Sequence, residues 1–252
     1  MIEILIFFLI LIILTFISKK FGLFPNFTGE NHQIFLDEKK IPLIGGILFL
    51  ILSLYIFYEK NPIFCFMIFF IFSIGFFSDT GIVKSPKIRI LFQSLIITIG
   101  VYFLDIQISS TRISLLDNII EVKIFGIIFS VFCLMILING SNFIDGLNGL
   151  LLGYCLIILF ILAKLDLLNF LQFEKNLLLF LFLSLIIMLF FNYMNFFYLG
   201  DGGSYSIGLV LGFLLISIYN LSGNISPFFI ILLLWYPCFE NLFSILRKNK
   251  FK

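Results

Sequence analysis

Three short polar stretches interrupt an apolar chain, and each carries a single aspartate. Phe77-Ser78-Asp79 runs on to Lys84-Ser85-Pro86-Lys87-Ile88-Arg89. Asn139-Gly140-Ser141-Asn142-Phe143-Ile144-Asp145-Gly146 comes next, and Leu199-Gly200-Asp201-Gly202-Gly203-Ser204 is the third. Asp79, Asp145 and Asp201 supply carboxylates; Asn139, Asn142 and Asn192 supply amides; Lys39, Lys84, Lys87 and Arg89 supply cations. Carboxylate and amide oxygens suit a hard divalent ion such as Mg²⁺, which binds through one or two carboxylates together with waters and substrate phosphate. Cations and exposed backbone N–H groups suit phosphate oxygens. Glycines at 45–46, 146, 149 and 202–203 would let backbone approach a ligand closely. Brought together, these groups point to phosphoryl-type transfer from a soluble nucleotide to a lipid.

The elements that must position them are membrane helices. Of the 252 residues, 62% are hydrophobic and 12% charged, and mean hydropathy is +1.20. That leaves too few charges to cover a water-facing surface, so a soluble helical protein is excluded. A net charge of +2 on scattered basic residues argues against nucleic-acid binding. The four cysteines lie in apolar runs without CxxC spacing and read as packing residues, and the single His32 lies in a polar loop. A helix needs about 20 apolar residues to cross the bilayer core. That rule predicts nine spans, near 2–18, 43–58, 62–78, 88–104, 124–140, 150–165, 176–192, 204–221 and 226–243. The first lacks the basic start and small-residue cleavage site of a signal peptide and is read as a retained span. The expected fold is therefore an all-α, polytopic bundle, a single domain over 1–252.

Alternating the loops between sides puts eleven basic residues on one face and five on the other. The positive-inside rule makes the richer face cytoplasmic, with the N-terminus outside and the C-terminus inside. All three aspartate motifs then fall in cytoplasmic loops. Gly, Asn and Asp also favour turns for conformational reasons alone, yet the outer loops hold no comparable cluster. Ionisable groups at membrane level are costly and tend to be functional.

Four segments carry a resemblance: Ile41-Pro42-Leu43-Ile44-Gly45-Gly46, Gly75-Phe76-Phe77-Ser78-Asp79 with Arg89 and Gln93, Asn142 to Leu150, and Leu199 to Ser204. In this order they resemble the polyprenyl-phosphate N-acetylhexosamine-1-phosphate transferases, over roughly residues 20 to 250. The resemblance implies transfer of a sugar-1-phosphate from a UDP-sugar to undecaprenyl phosphate with Mg²⁺ (Mn²⁺ as a substitute), releasing UMP and starting a lipid-linked envelope glycan such as O-antigen. It implies a bacterial inner-membrane location, with the site on the cytoplasmic face. By position, it assigns Asp201, with Asp145, to the metal and Asp79, Asp145 and Asp201 to catalysis. It matches Lys39, Asn142 and Asn192 to the nucleotide-sugar; residue type adds Asn139 and Gly200 there, and Lys84, Lys87 and Arg89 for the lipid phosphate. The pattern departs from the family at Ser78, where an aspartate is usual, and at Asn148. The family's late His-rich loop would begin near Lys252, where the sequence ends, so the alternative is a member that binds lipid phosphate or nucleotide without turnover. A cation-coupled transporter is the remaining reading, disfavoured because transporters place such carboxylates near the midplane. Oligomeric state is open, a homodimer included, and the sugar is not specified.

Overall fold

A computed structural model describes residues 2–24 and 41–250, without the side chains of 245 and 248–250. Among the described residues the chain is all helical, with no strand. The helices are α1 (Ile2–Phe21), α2 (Gly45–Phe57), α3 (Pro62–Asp79), α4 (Pro86–Leu104), α5 (Ser114–Ile120), α6 (Lys123–Ile144), α7 (Leu150–Lys164), α8 (Lys175–Tyr193), α9 (Gly200–Ser222), α10 (Pro227–Leu233) and α11 (Trp235–Lys250), with a 3-10 turn at Leu167–Leu171. Their ends follow ordinary signals. Pro62 opens α3, and the Asn61 side chain accepts a hydrogen bond from the Phe64 N–H at 3.1 Å. Pro86 opens α4 after an extended Ser85.

All nine expected segments are helical, but they are not equivalent. Six described helices, α1, α3, α4, α6, α8 and α9, are long and apolar enough to cross a membrane. Their number and composition make this a multi-pass membrane protein. α2 and α7 have 13 and 15 residues, about 20 and 22 Å at 1.5 Å per residue, short of the ~30 Å core. α10 and α11 form a pair bent by 63°; counted as one span, it brings the total to seven. Pro237 explains the break, because proline in the first turn of α11 is tolerated but cannot continue α10.

α9 is the axis of the bundle. It packs most extensively on α3 and α6, then on α2, and 72% of its apolar window is buried, against 22% for α1. Small residues permit this. A Cβ on Gly75 of α3 would sit 2.4 Å from the Gly202 Cα, and one on Gly46 of α2 would sit 2.6 Å from the Gly203 nitrogen. The backbones of α2, α3 and α9 therefore touch at one end of α9. Toward its other end Phe213 stacks on Phe64 at 3.6 Å between ring centroids, with Phe57 edge-on to Phe64 at 4.9 Å. Large apolar side chains such as Phe66, Leu91 and Tyr102 cover the outside, as a lipid-facing surface requires.

Candidate active site

The glycine-lined end of α9 is where the aspartate motifs meet. α9 begins at Gly200, whose φ of +71° is a left-handed conformation open to glycine at little cost. A Cβ there would lie 2.6 Å from Asp79 Oδ2. Leu199, at the N-cap, has no side chain able to cap the helix. That role falls to Asp79 at the end of α3: its Oδ1 accepts from the Asp201 N–H at 2.9 Å and its Oδ2 from the Gly202 N–H at 3.2 Å. A buried carboxylate across two first-turn amides satisfies donors that would otherwise be orphaned and complements the helix dipole.

Asp201 projects from the same turn into a polar knot. Its Oδ2 accepts from Ser78 Oγ at 2.7 Å and from Arg89 Nη1 at 2.8 Å. Arg89 Nη1 also lies 2.7 Å from Ser78 Oγ and 3.3 Å from Tyr205 Oη. Asn142, near the end of α6, donates to Tyr205 Oη at 3.3 Å and accepts from Ser204 Oγ at 3.1 Å. Ser78 thus puts a neutral donor against Asp201 where a second aspartate would add a like charge. Asp145 follows the last residue of α6. Burial, then the negative charges of Asp201 and Asp79, push its carboxyl well above the usual range.

Other expected residues take different places. Asn192 is buried and spends both ends of its amide on backbone, accepting from the Gly149 N–H at 2.6 Å and donating to the Phe197 carbonyl at 3.0 Å. It ties the start of α7 to the approach to α9. Asn139 donates to Gln93 Oε1 at 3.2 Å and to the Met135 carbonyl at 2.9 Å. Lys84 and Lys87 are exposed beside the start of α4. Lys39 lies outside the described residues. The Pro42–Gly46 segment does reach the site: the Tyr198 N–H donates to the Pro42 carbonyl, and the Gly45 and Gly46 N–H groups donate to the Tyr198 and Leu199 carbonyls, at 2.9–3.1 Å.

Residues 61–219 match the sequence family described as glycosyl transferase family 4. The chain belongs to glycosyl transferase family 4. No curated protein matches it significantly. Family membership makes the end of α9 the candidate active site of a phospho-sugar transferase, and the matched span contains all three aspartates.

Among the described residues, no group of three or more His, Cys, Asp or Glu side chains is disposed to hold a metal ion. Two carboxylates suffice for Mg²⁺ when phosphate and water complete its shell. Asp79 is committed to backbone, which leaves Asp201 and Asp145, the latter within reach of the Asp201 charge. That donor set fits a hard divalent cation, provided Arg89 gives way at Asp201. Motif reading left Tyr205 out altogether. Its one signal was position, four residues after Asp201 and so on the same face of α9.

Proposed function

We propose that this protein transfers an N-acetylhexosamine-1-phosphate from a UDP-sugar to undecaprenyl phosphate, releasing UMP and starting a lipid-linked cell-envelope glycan at the cytoplasmic face of a bacterial inner membrane. The observation that carries the reading is the convergence of Asp79, Asp201, Ser78 and Arg89 at one buried helix end, in a chain of glycosyl transferase family 4. A phosphate oxygen of the acceptor lipid attacks the sugar-bearing phosphorus of the donor. The bond from that phosphorus to the bridging oxygen breaks, and UMP leaves with the bridging oxygen. Mg²⁺ held by Asp201 and Asp145 would neutralise charge developing on the diphosphate.

Everything else falls to side chains already in place. Asp79 fixes the first turn of α9 and thereby the direction of Asp201. Ser78 and Tyr205 hold Arg89 within reach of an incoming phosphate. Lys84 and Lys87, exposed beside Arg89, supply point charges for the lipid phosphate before it enters. A phosphate monoester is already largely ionised near neutral pH, so positioning and electrostatic stabilisation contribute more than proton removal. The test is reconstitution of the full chain in vesicles containing undecaprenyl phosphate, supplied in turn with radiolabelled UDP-sugars and Mg²⁺. The reading expects UMP release with transfer of label to a lipid-linked product. Nucleotide binding with no UMP release would favour a non-catalytic member of the family.

A further inference from the structure

Asp201 and Arg89 are paired with each other, although the proposed reaction gives one to a cation and the other to a phosphate. Both roles hold together only if the pair opens during binding. Its geometry is that of a contact that can open. Arg89 meets Asp201 through Nη1 alone, at 2.8 Å, and not through the two-pronged fork that makes arginine–carboxylate pairs strong. Both side chains keep about a fifth of their surface exposed, 23% for Arg89 and 20% for Asp201. The same Nη1 touches Ser78 Oγ and Tyr205 Oη, two neutral oxygens beside Asp201 that can steady the guanidinium as it shifts.

Among the described residues, two further donors on α4 lack acceptors. Arg89 Nε is buried without a hydrogen-bond partner there, and so is Nε2 of Gln93, one turn further along the same face; the Gln93 side chain is fully buried. A buried N–H left unpaired costs about 1–3 kcal/mol. The two residues lie four apart on one face of α4, and each of these donors lacks an acceptor oxygen among the described residues.

We infer that Arg89 and a divalent cation compete for Asp201, and that the guanidinium displaced by the cation is taken up by a phosphate oxygen, so that cation and phosphate bind with positive coupling. The inference rests on the functional reading above. The phosphate could belong to the lipid monophosphate or to the nucleotide, and the experiment separates the two.

The full chain in lipid nanodiscs is titrated with Mn²⁺, free Mn²⁺ being read by electron paramagnetic resonance and corrected with protein-free discs. It is titrated alone, with a polyprenyl monophosphate in the disc, and with UMP in solution. Asp201→Asn serves as the reference for binding outside the site. In wild type, Mn²⁺ affinity should rise by about five-fold or more with one of the two phosphates, the low end of measured site–site couplings. The phosphate that raises it identifies the partner of Arg89. Arg89→Gln should bind Mn²⁺ more tightly than wild type without phosphate, and the rise should shrink to what direct ligation of the cation by phosphate supplies. Arg89→Lys keeps the charge and should preserve a smaller coupling, which keeps the test informative if Arg89→Gln does not fold. Mn²⁺ binding that neither phosphate changes, or coupling undiminished in Arg89→Gln, overturns the exchange and leaves the metal site standing. Wild type binding no more Mn²⁺ than Asp201→Asn overturns the metal reading itself, and the exchange with it.

Discussion

Removing the Asp79 carboxylate should loosen the fold before it alters any chemistry. Both of its oxygens accept backbone N–H groups of α9, and hydrogen bonds to charged groups contribute about 1.5–3 kcal/mol each. Part of that offsets the cost of burying the carboxylate. In Asp79→Ala the two first-turn donors of α9 stay buried without acceptors, at about 1–3 kcal/mol each, so a net loss of about 2–5 kcal/mol is expected. Asp79→Asn keeps an acceptor oxygen and should lose about half as much. At about 2–4 °C per kcal/mol for a chain of this size, Asp79→Ala should melt roughly 4–20 °C below wild type. The assay is thermal unfolding in one detergent, with UMP release measured well below both melting temperatures. Disordering the first turn of α9 also displaces Asp201, so the activity lost should track the stability lost across Ala, Asn and Glu variants. An Asp79→Ala protein that melts with wild type yet is inactive would refute the capping argument and return Asp79 to direct work on substrate.

Asp201→Asn keeps the size but removes the charge a divalent cation needs, and activity should fall by about a hundred-fold or more; Cys133→Ser, in the membrane-spanning part of α6, should turn over like wild type. Single cysteines at Lys87 and Gly149 should react with an impermeant maleimide from the cytoplasmic side only and one at Ser110 from the opposite side only; labelling of Gly149 and Ser110 from one side would void the proposed sidedness. Hydrogen bonds from Thr111 and Ser110 hold the Asp117 carboxyl below its usual range. A depressed folded-state value means the contribution is present above the ordinary aspartate range and is lost as pH falls through the lower folded value, so protection of the Thr111 amide in hydrogen exchange should drop at acid pH in wild type and not vary in Asp117→Asn.

Helix positions were readable from apolar run length, because lipid contact imposes one requirement on every span. The meeting of Asp79 with Asp201 was readable as a shared side of the membrane. Its form was not, since a carboxylate capping a helix 122 positions later leaves no local signal. Hydropathy also misranked the helices. α1, the most apolar at 2.6, is mostly exposed, whereas α9, at 1.7, is the most buried. Glycines and serines lower the hydropathy of α9 and are also what allow neighbouring backbones to touch it. The scale measures affinity for lipid and not fit against protein. α5 and the 3-10 turn were too short to register against their loops, and the bend between α10 and α11 was signalled only by Pro237.

The burial of α9 sets a schedule for biogenesis. Two of the three aspartates leave the ribosome long before residue 200, on α3 and beside α6. Until α9 follows, Asp79 has no helix to cap, Gly46 and Gly75 face no partner, and Arg89 has no carboxylate. A helix walled in on three sides cannot simply drift in from lipid, so α2, α3 and α6 must leave its slot open or part to admit it. The candidate active site therefore comes into being in a single late event, and nascent chains released before α9 has docked should contain apolar helices but no assembled site.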